Sequence, residues 1–187
     1  MHNLIEIKDT VQNVVDAISS VLEMDVTVSD ATLQRIAGTK YFENKSRVPA
    51  NSAFEKTIKN RKPYIVSEPR IDQACKHCEL IDTCEEEAEV CCPILVDDVV
   101  VGVIGIITFN QSRKEKFLAK RDSYLNFIEK MANLISIKLS EKKAFDSLAF
   151  TSKMLEMTFE MVELGIVSLD QNYEIILCNE KAKTVRL

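Results

Sequence analysis

Val90-Cys91-Cys92-Pro93-Ile94-Leu95-Val96, then Asp97-Asp98, then Val99-Val100-Val101-Gly102-Val103-Ile104-Gly105-Ile106-Ile107-Thr108-Phe109 is the stretch on which the fold turns. β-Branched residues dominate both arms and two aspartates sit between them, so the pattern predicts an apolar hairpin whose strands lie centrally in a sheet. Side chains alternate along a strand, and Cys91 and Cys92 are therefore expected to face opposite ways.

Upstream of the hairpin, Ile7, Val11, Val14, Ile18, Val21 and Leu22 recur at helical spacing, with Asp9 and Gln12 placed to cap a helix over 9–23. Asp25–Asp30 and Leu33–Gly38 alternate apolar and polar side chains around a short connection and read as a strand hairpin. Ser52 and Glu55 have capping-box spacing before Phe54 and Ile58, which predicts a short helix over 52–59, and Pro63–Val66 reads as a further strand. Downstream, no Pro or Gly occurs from Ser112 to Glu163, and apolar residues fall at Tyr124, Ile128, Met131 and Ile135, then at Phe145, Leu148, Leu155, Phe159 and Val162. A continuous helix of that length would reach roughly 75 Å, too far to lie wholly against one small domain. It is either a signalling helix that pairs with its copy in a homodimer, or two helices broken near Glu141-Lys142-Lys143. Gly165–Asp170 and Glu174–Asn179 then form strand, turn and strand before a possible helix at Glu180. About thirty residues cannot bury a core alone, so they read as the start of a truncated second domain.

The 187 residues carry 24 Lys+Arg against 29 Asp+Glu, a formal charge of -5, with 46% hydrophobic residues. That is a globular composition and not a disordered tail. A mildly acidic chain without a basic arm is a poor ligand for phosphate backbones, so direct nucleic-acid binding is not expected. The longest apolar run, Val99–Phe109, is too short to cross a bilayer, and Met1–Glu6 lacks a signal peptide's features. The expected location is the cytoplasm, where thiols stay reduced.

Thiols are the chain's conspicuous chemistry. Five of the six cysteines fall in 18 residues, as Cys75-x2-Cys78-x5-Cys84-x6-Cys91-Cys92, within or just after a polar segment, Ser67–Glu89, that is long for a plain connection. A Cys-x-x-Cys turn directs two thiolates at one metal, and the wider spacers suit an iron-sulfur cluster, best a four-iron one, more than the paired knuckles usual for zinc. Structural zinc, a transient disulfide switch and a ligand-free loop are the alternatives. The candidate cofactor residues are Cys75, Cys78, Cys84, Cys91 and Cys92, with Cys75, Cys78, Cys84 and Cys92 as metal ligands, since Cys92 precedes a proline. The other of the adjacent pair, like Cys178, reads as a packed core thiol. His77 reads as an exposed loop histidine, and Glu85, Glu86, Glu87 and Glu89 as a solvated helical turn. A cysteine nucleophile at Cys75 or Cys78 is disfavoured, because His77 is its sequence neighbour and His2 is the one other histidine.

The order helix, hairpin, helix, strand, long loop, strand hairpin, long helix resembles a GAF domain, and Cys92-Pro93 through Gly102-Val103-Ile104-Gly105 matches that family's pattern. The resemblance implies an α+β fold, an antiparallel sheet flanked by helices, over 1–139, with a signalling helix over 140–163. Met154–Asp170 with Glu174–Ala182, including Asn179 and Ala182, resembles the opening of a PAS domain over 164–187. This pairing is similar to the sensory half of sigma-54-dependent transcriptional activators, and also precedes histidine kinases. It implies a redox- or ligand-sensing module without turnover, whose PAS and AAA+ effector domains would follow. This chain carries no Gly-rich Lys-Ser/Thr phosphate loop.

Overall fold

The computed structural model describes residues 3–184. The chain forms two compact units, Met1–Glu141 and Lys142–Leu187.

In the first unit, a 3-10 turn at Leu4–Ile7 leads directly into α1 (Lys8–Leu22). Because that turn precedes the helix, the expected cap by Asp9 and Gln12 does not form, and Ile7 stands at the cap without a side-chain bond. Gln12 instead holds the strand beside it, donating to the Gly38 carbonyl at 3.2 Å and accepting from its N–H at 3.3 Å. The strands β1 (Asp25–Asp30) and β2 (Arg35–Gly38) follow, then α2 (Ala53–Asn60), β3 (Tyr64–Val66), and the long pair β4 (Ala88–Val96) and β5 (Val99–Thr108). All pair antiparallel, in the order β2-β1-β5-β4-β3. The apolar hairpin is thus central, as its composition requires. The α+β fold, with its antiparallel sheet and flanking helices, is the one read from sequence.

Each face of the sheet buries a different set. Val26, Val28, Val90, Cys92, Ile94, Ile104 and Ile106 pack on one face with Val11, Val15 and Ile18 of α1 and with Ile128, Ala132, Ile135 and Leu139. Those four belong to α4 (Arg121–Met161), which follows α3 (Gln111–Ala119). The opposite face carries Val66, Cys91 and Val103 against Ala53 and Phe54 of α2 and Ala74 and Cys75 of the long loop. Glycine is required where α2 approaches β5, since a Cβ at Gly105 would lie 2.5 Å from the Phe54 ring. At Gly102 it would meet the Ser29 carbonyl oxygen at 2.2 Å.

The break in the long helical stretch falls at Lys120, not near Glu141. Lys120 leaves helical geometry at φ −121 and ψ 18, and the phase change lets Phe117 enter the core while stacking on Tyr124 at 5.1 Å between centroids. Among the described residues, no helix is long and apolar enough to cross a membrane.

The second unit comprises the end of α4, the hairpin β6 (Val167–Leu169) and β7 (Ile175–Cys178), and α5 (Glu180–Thr184). Its one fully buried side chain of note is Asn179. The Asn179 amide donates to the carbonyls of Phe159, Val162 and Leu164 at 3.3, 3.3 and 2.9 Å. Its oxygen accepts from the N–H of Ile166 at 2.9 Å and of Ala182 at 3.0 Å. One carboxamide therefore satisfies carbonyls at the end of α4, the entry to β6 and the first turn of α5, groups that a helix terminus leaves unpaired.

Candidate functional site

The face of the sheet away from α1 carries a cavity of about 100 Å³. One ordered water requires roughly 10–15 Å³ on the same measure, so the space suits a small organic molecule. Thr27 of β1, Arg35 of β2, Glu89 of β4 and Ile107 of β5 form its floor, and Ser52 and Phe54 bring in the start of α2. The long loop closes the opposite side with Cys75, Cys78, Cys84 and Glu86.

Local bonds fix that loop. Arg70 donates twice to the Cys84 carbonyl, at 2.9 and 3.1 Å, the Glu79 N–H reaches the Ala50 carbonyl at 3.2 Å, and Lys56 donates to the Gln73 carbonyl. Lys114 of α3 pairs with Glu68 at 3.8 Å and with Glu87 at 3.6 Å, tying both ends of the loop to one cation.

Arg35 is held rigidly. Its terminal nitrogens donate to Thr27 Oγ1 and, at 3.2 Å, to the Arg47 carbonyl, while the guanidinium lies 4.4 Å from the centroid of Phe42. Burial lowers its pKa to about 10 despite the opposing carboxylates of Glu86 and Glu89. The carboxylates feel the same environment. Burial pushes Glu86 up to about 7, against the pull of Arg35 and Lys45, and raises Glu89 well above the usual range, with Glu86 and Asp72 adding to the effect. The acidic run is therefore no helical turn, and of its four glutamates Glu85 alone is exposed. Ala88 already begins β4, and alternation turns Glu89 inward, 4% exposed.

The five candidate cysteines divide. Cys75, Cys78 and Cys84 line the cavity, and Cys91 lies on the same sheet face, its sulfur 3.1 Å from Thr57 Oγ1. Cys92 packs with α1 and α4 on the opposite face, so the structure does not bring it to the other three. Among the described residues, no group of three His, Cys, Asp or Glu side chains is placed to hold a metal ion. Burial, then Glu89 and Cys78, pushes the Cys75 thiol up to about 12, and burial raises Cys78 and Cys84 as well. Of the four thiols expected to act together, Cys75, Cys78 and Cys84 share the cavity wall and Cys92 stands apart from them across the sheet. Cys178 is half-buried in β7, His77 is exposed outside the cavity wall, and His2 lies outside the described residues.

Sequence reasoning missed Arg35, Ser52 and the inward turn of Glu89. Arg35 was legible as a polar residue in an alternating strand, but only the pairing of β1 with β5 places that face over the cavity.

The sequence profile of the GAF domain matches residues 6–139. The chain belongs to the GAF domain family. It is 23% identical over 183 residues to a protein of Escherichia coli (strain K12) named UacR, described provisionally as a uric acid sigma-54-dependent transcriptional regulator. The match takes in 96% of this chain and 30% of that protein, so the chain spans under a third of the relative's length. Among solved structures, the GAF domain of A. aeolicus nlh2 in an inactive state is similar at TM-score 0.52 and 18% identity, over 70% of this chain and 82% of that one. Free methionine-R-sulfoxide reductase from Neisseria meningitidis, in complex with its substrate, is similar at TM-score 0.56 and 8% identity, over 77% and 82%. At such identities the likeness speaks for the fold alone.

Proposed function

We propose that this GAF domain is the effector-sensing module of a sigma-54-dependent transcriptional regulator, taking a small organic molecule into the cavity under the cysteine loop without turning it over. The observation that carries this reading is a cavity whose wall includes buried polar atoms, on a sheet that also supports α4. The Escherichia coli relative's name points to uric acid, a planar heterocycle of suitable scale. Occupancy reaches α4 through β4, where Glu89 lines the cavity with Cys91 on the same face, while Val90 and Cys92 face the helices. Ser136 of α4 donates to the Leu95 carbonyl, so a shift of β4 is felt by the helix directly.

From α4 the signal passes to a partner copy and to the domains that follow in such regulators. Phe145, Leu148 and Leu155 are each exposed over about two thirds of their surface at heptad-compatible spacing, which supports a homodimer through this helix. The hairpin β6–β7 and α5 are read as the opening of a PAS domain on the Asn179 and Ala182 pattern. A reductase role like the Neisseria neighbour's is disfavoured, because the cavity thiols are held protonated.

Calorimetry of the whole chain with urate is the test. Binding of one urate per chain, with a melting temperature about 5–15 °C higher at a hundredfold excess over Kd, is the expected result. Stoichiometric iron with sulfide, or zinc, on protein purified without oxygen and lost in Cys75→Ser would overturn it in favour of a metal sensor.

A further inference from the structure

Two polar atoms of the cavity wall have no hydrogen-bond partner in the protein, Arg35 Nε and Ser52 Oγ. An unsatisfied buried polar group is destabilising, and native folds carry few of them. Both depart from the ordinary role of their residue. Ser52 occupies the cap of α2 and is 8% exposed, yet its hydroxyl makes no cap bond. The Glu55 carboxylate accepts from the Asn51 N–H, one residue before the cap, and the Ser52 hydroxyl has no partner in the protein. Each terminal nitrogen of Arg35 makes a bond, to Thr27 and to Arg47, and its face lies on Phe42, while Nε is the one guanidinium nitrogen without a partner.

Glu89 supplies the opposite chemistry, a buried carboxyl whose carbonyl oxygen accepts a hydrogen bond, on the same floor. A ligand that only accepts would leave that oxygen unpaired, and an amine would leave Arg35 facing a cation. Phe42 and Phe54 add flat apolar walls.

Resting on the effector-cavity reading, we propose that Arg35 Nε and Ser52 Oγ together with the Glu89 carboxyl oxygen form a recognition site for the lactam or ureide edge of a planar oxo-heterocycle. The ring carbonyl accepts from Arg35 and Ser52, and the adjacent ring N–H donates to Glu89. Oxopurines and cyclic ureides present this edge, whereas purine and adenine lack the carbonyl. A site built to hydrogen-bond a group rejects the analogue without it strongly, because its own polar atoms are then left unpaired.

Titration of the whole chain with urate, xanthine, adenine and purine tests the assignment, with far-UV circular dichroism confirming that each variant is folded. Urate or xanthine is expected to bind at least 100-fold more tightly than purine or adenine. Arg35→Lys, which keeps charge but loses Nε, and Ser52→Ala are each expected to weaken that binding tenfold or more. Binding of urate undiminished in both variants would overturn the residue assignment. Binding of cyclic GMP or 2-oxoglutarate in place of the heterocycles, weakened by Ser52→Ala, would overturn the ligand class and leave the effector cavity standing. No heat or melting shift from any of these probes would overturn the class and the cavity reading together.

Discussion

Glu89 shows how one residue's position in a strand decides its chemistry. Beside three other glutamates it has the sequence context of a solvated run, yet it lies within β4 and faces Arg35, Glu86 and Asp72 across a closed space. Its raised pKa, with that of Glu86, has a definite consequence for stability. The folded state keeps protons that the unfolded chain releases near pH 4.5, so the domain binds more protons when folded and loses stability as pH rises through that value towards and beyond 7. Thermal melting of the ligand-free chain is expected to be several degrees higher at pH 5 than at pH 8. Glu89→Gln should flatten the profile, and an unchanged profile would place the responsible groups elsewhere. The alternation of Cys91 and Cys92 was legible in sequence because it needs only the period of a strand. The fate of Ser52 was not, because its spacing to Glu55 is that of a capping box, and only the tertiary environment redirects the hydroxyl.

Elements were legible where a local rule suffices and illegible where packing chooses between equal local options. The central hairpin needs β-branched residues and a turn, and its limits at the turn coincide with those expected, while β4 begins two residues earlier and β5 ends one residue earlier. Nothing local marks Lys120 as a break, since the flanking residues are all compatible with a helix; burial of Phe117 decides it. The glycines of β5 yield a graded expectation. Neither has a positive φ, so their requirement is one of space. Gly105→Ala meets the end of a phenylalanine ring that has some freedom to tilt, and should cost about 1–3 kcal/mol while narrowing the cavity and weakening ligand binding. Gly102→Ala meets a main-chain oxygen and should cost more, measurable as the larger fall in denaturation midpoint. Ile135→Ala, at a fully buried position of α4, should cost about 2–5 kcal/mol by urea unfolding.

For the whole molecule, the division at Glu141 implies that the units respond to damage separately. Asn179→Ala removes the amide that five backbone groups share, so hydrogen exchange over 164–184 should accelerate by tenfold or more while protection in β4 and β5 is unchanged. Accelerated exchange in β4 as well would show that the units are not independent. The antiparallel fold and its extent were readable from the order of elements, whereas the cavity was not, since it is assembled from β1, β2, β4, β5, α2 and a loop far apart along the chain.

The charge around the cavity, with Arg35, Lys45, Arg47 and Glu85 beside Glu86 and Glu89 that burial pushes towards their neutral forms, governs how a ligand arrives as well as what fits. A wall with an excess of one sign draws counter-charged molecules from a distance and loses that pull as dissolved ions accumulate. A neutral molecule feels little of this field. An uncharged heterocycle such as xanthine should reach the site by unguided diffusion, with an association rate that changes less than about twofold between 0.05 and 0.5 M sodium chloride, so that occupancy reports its concentration whatever the salinity around the protein.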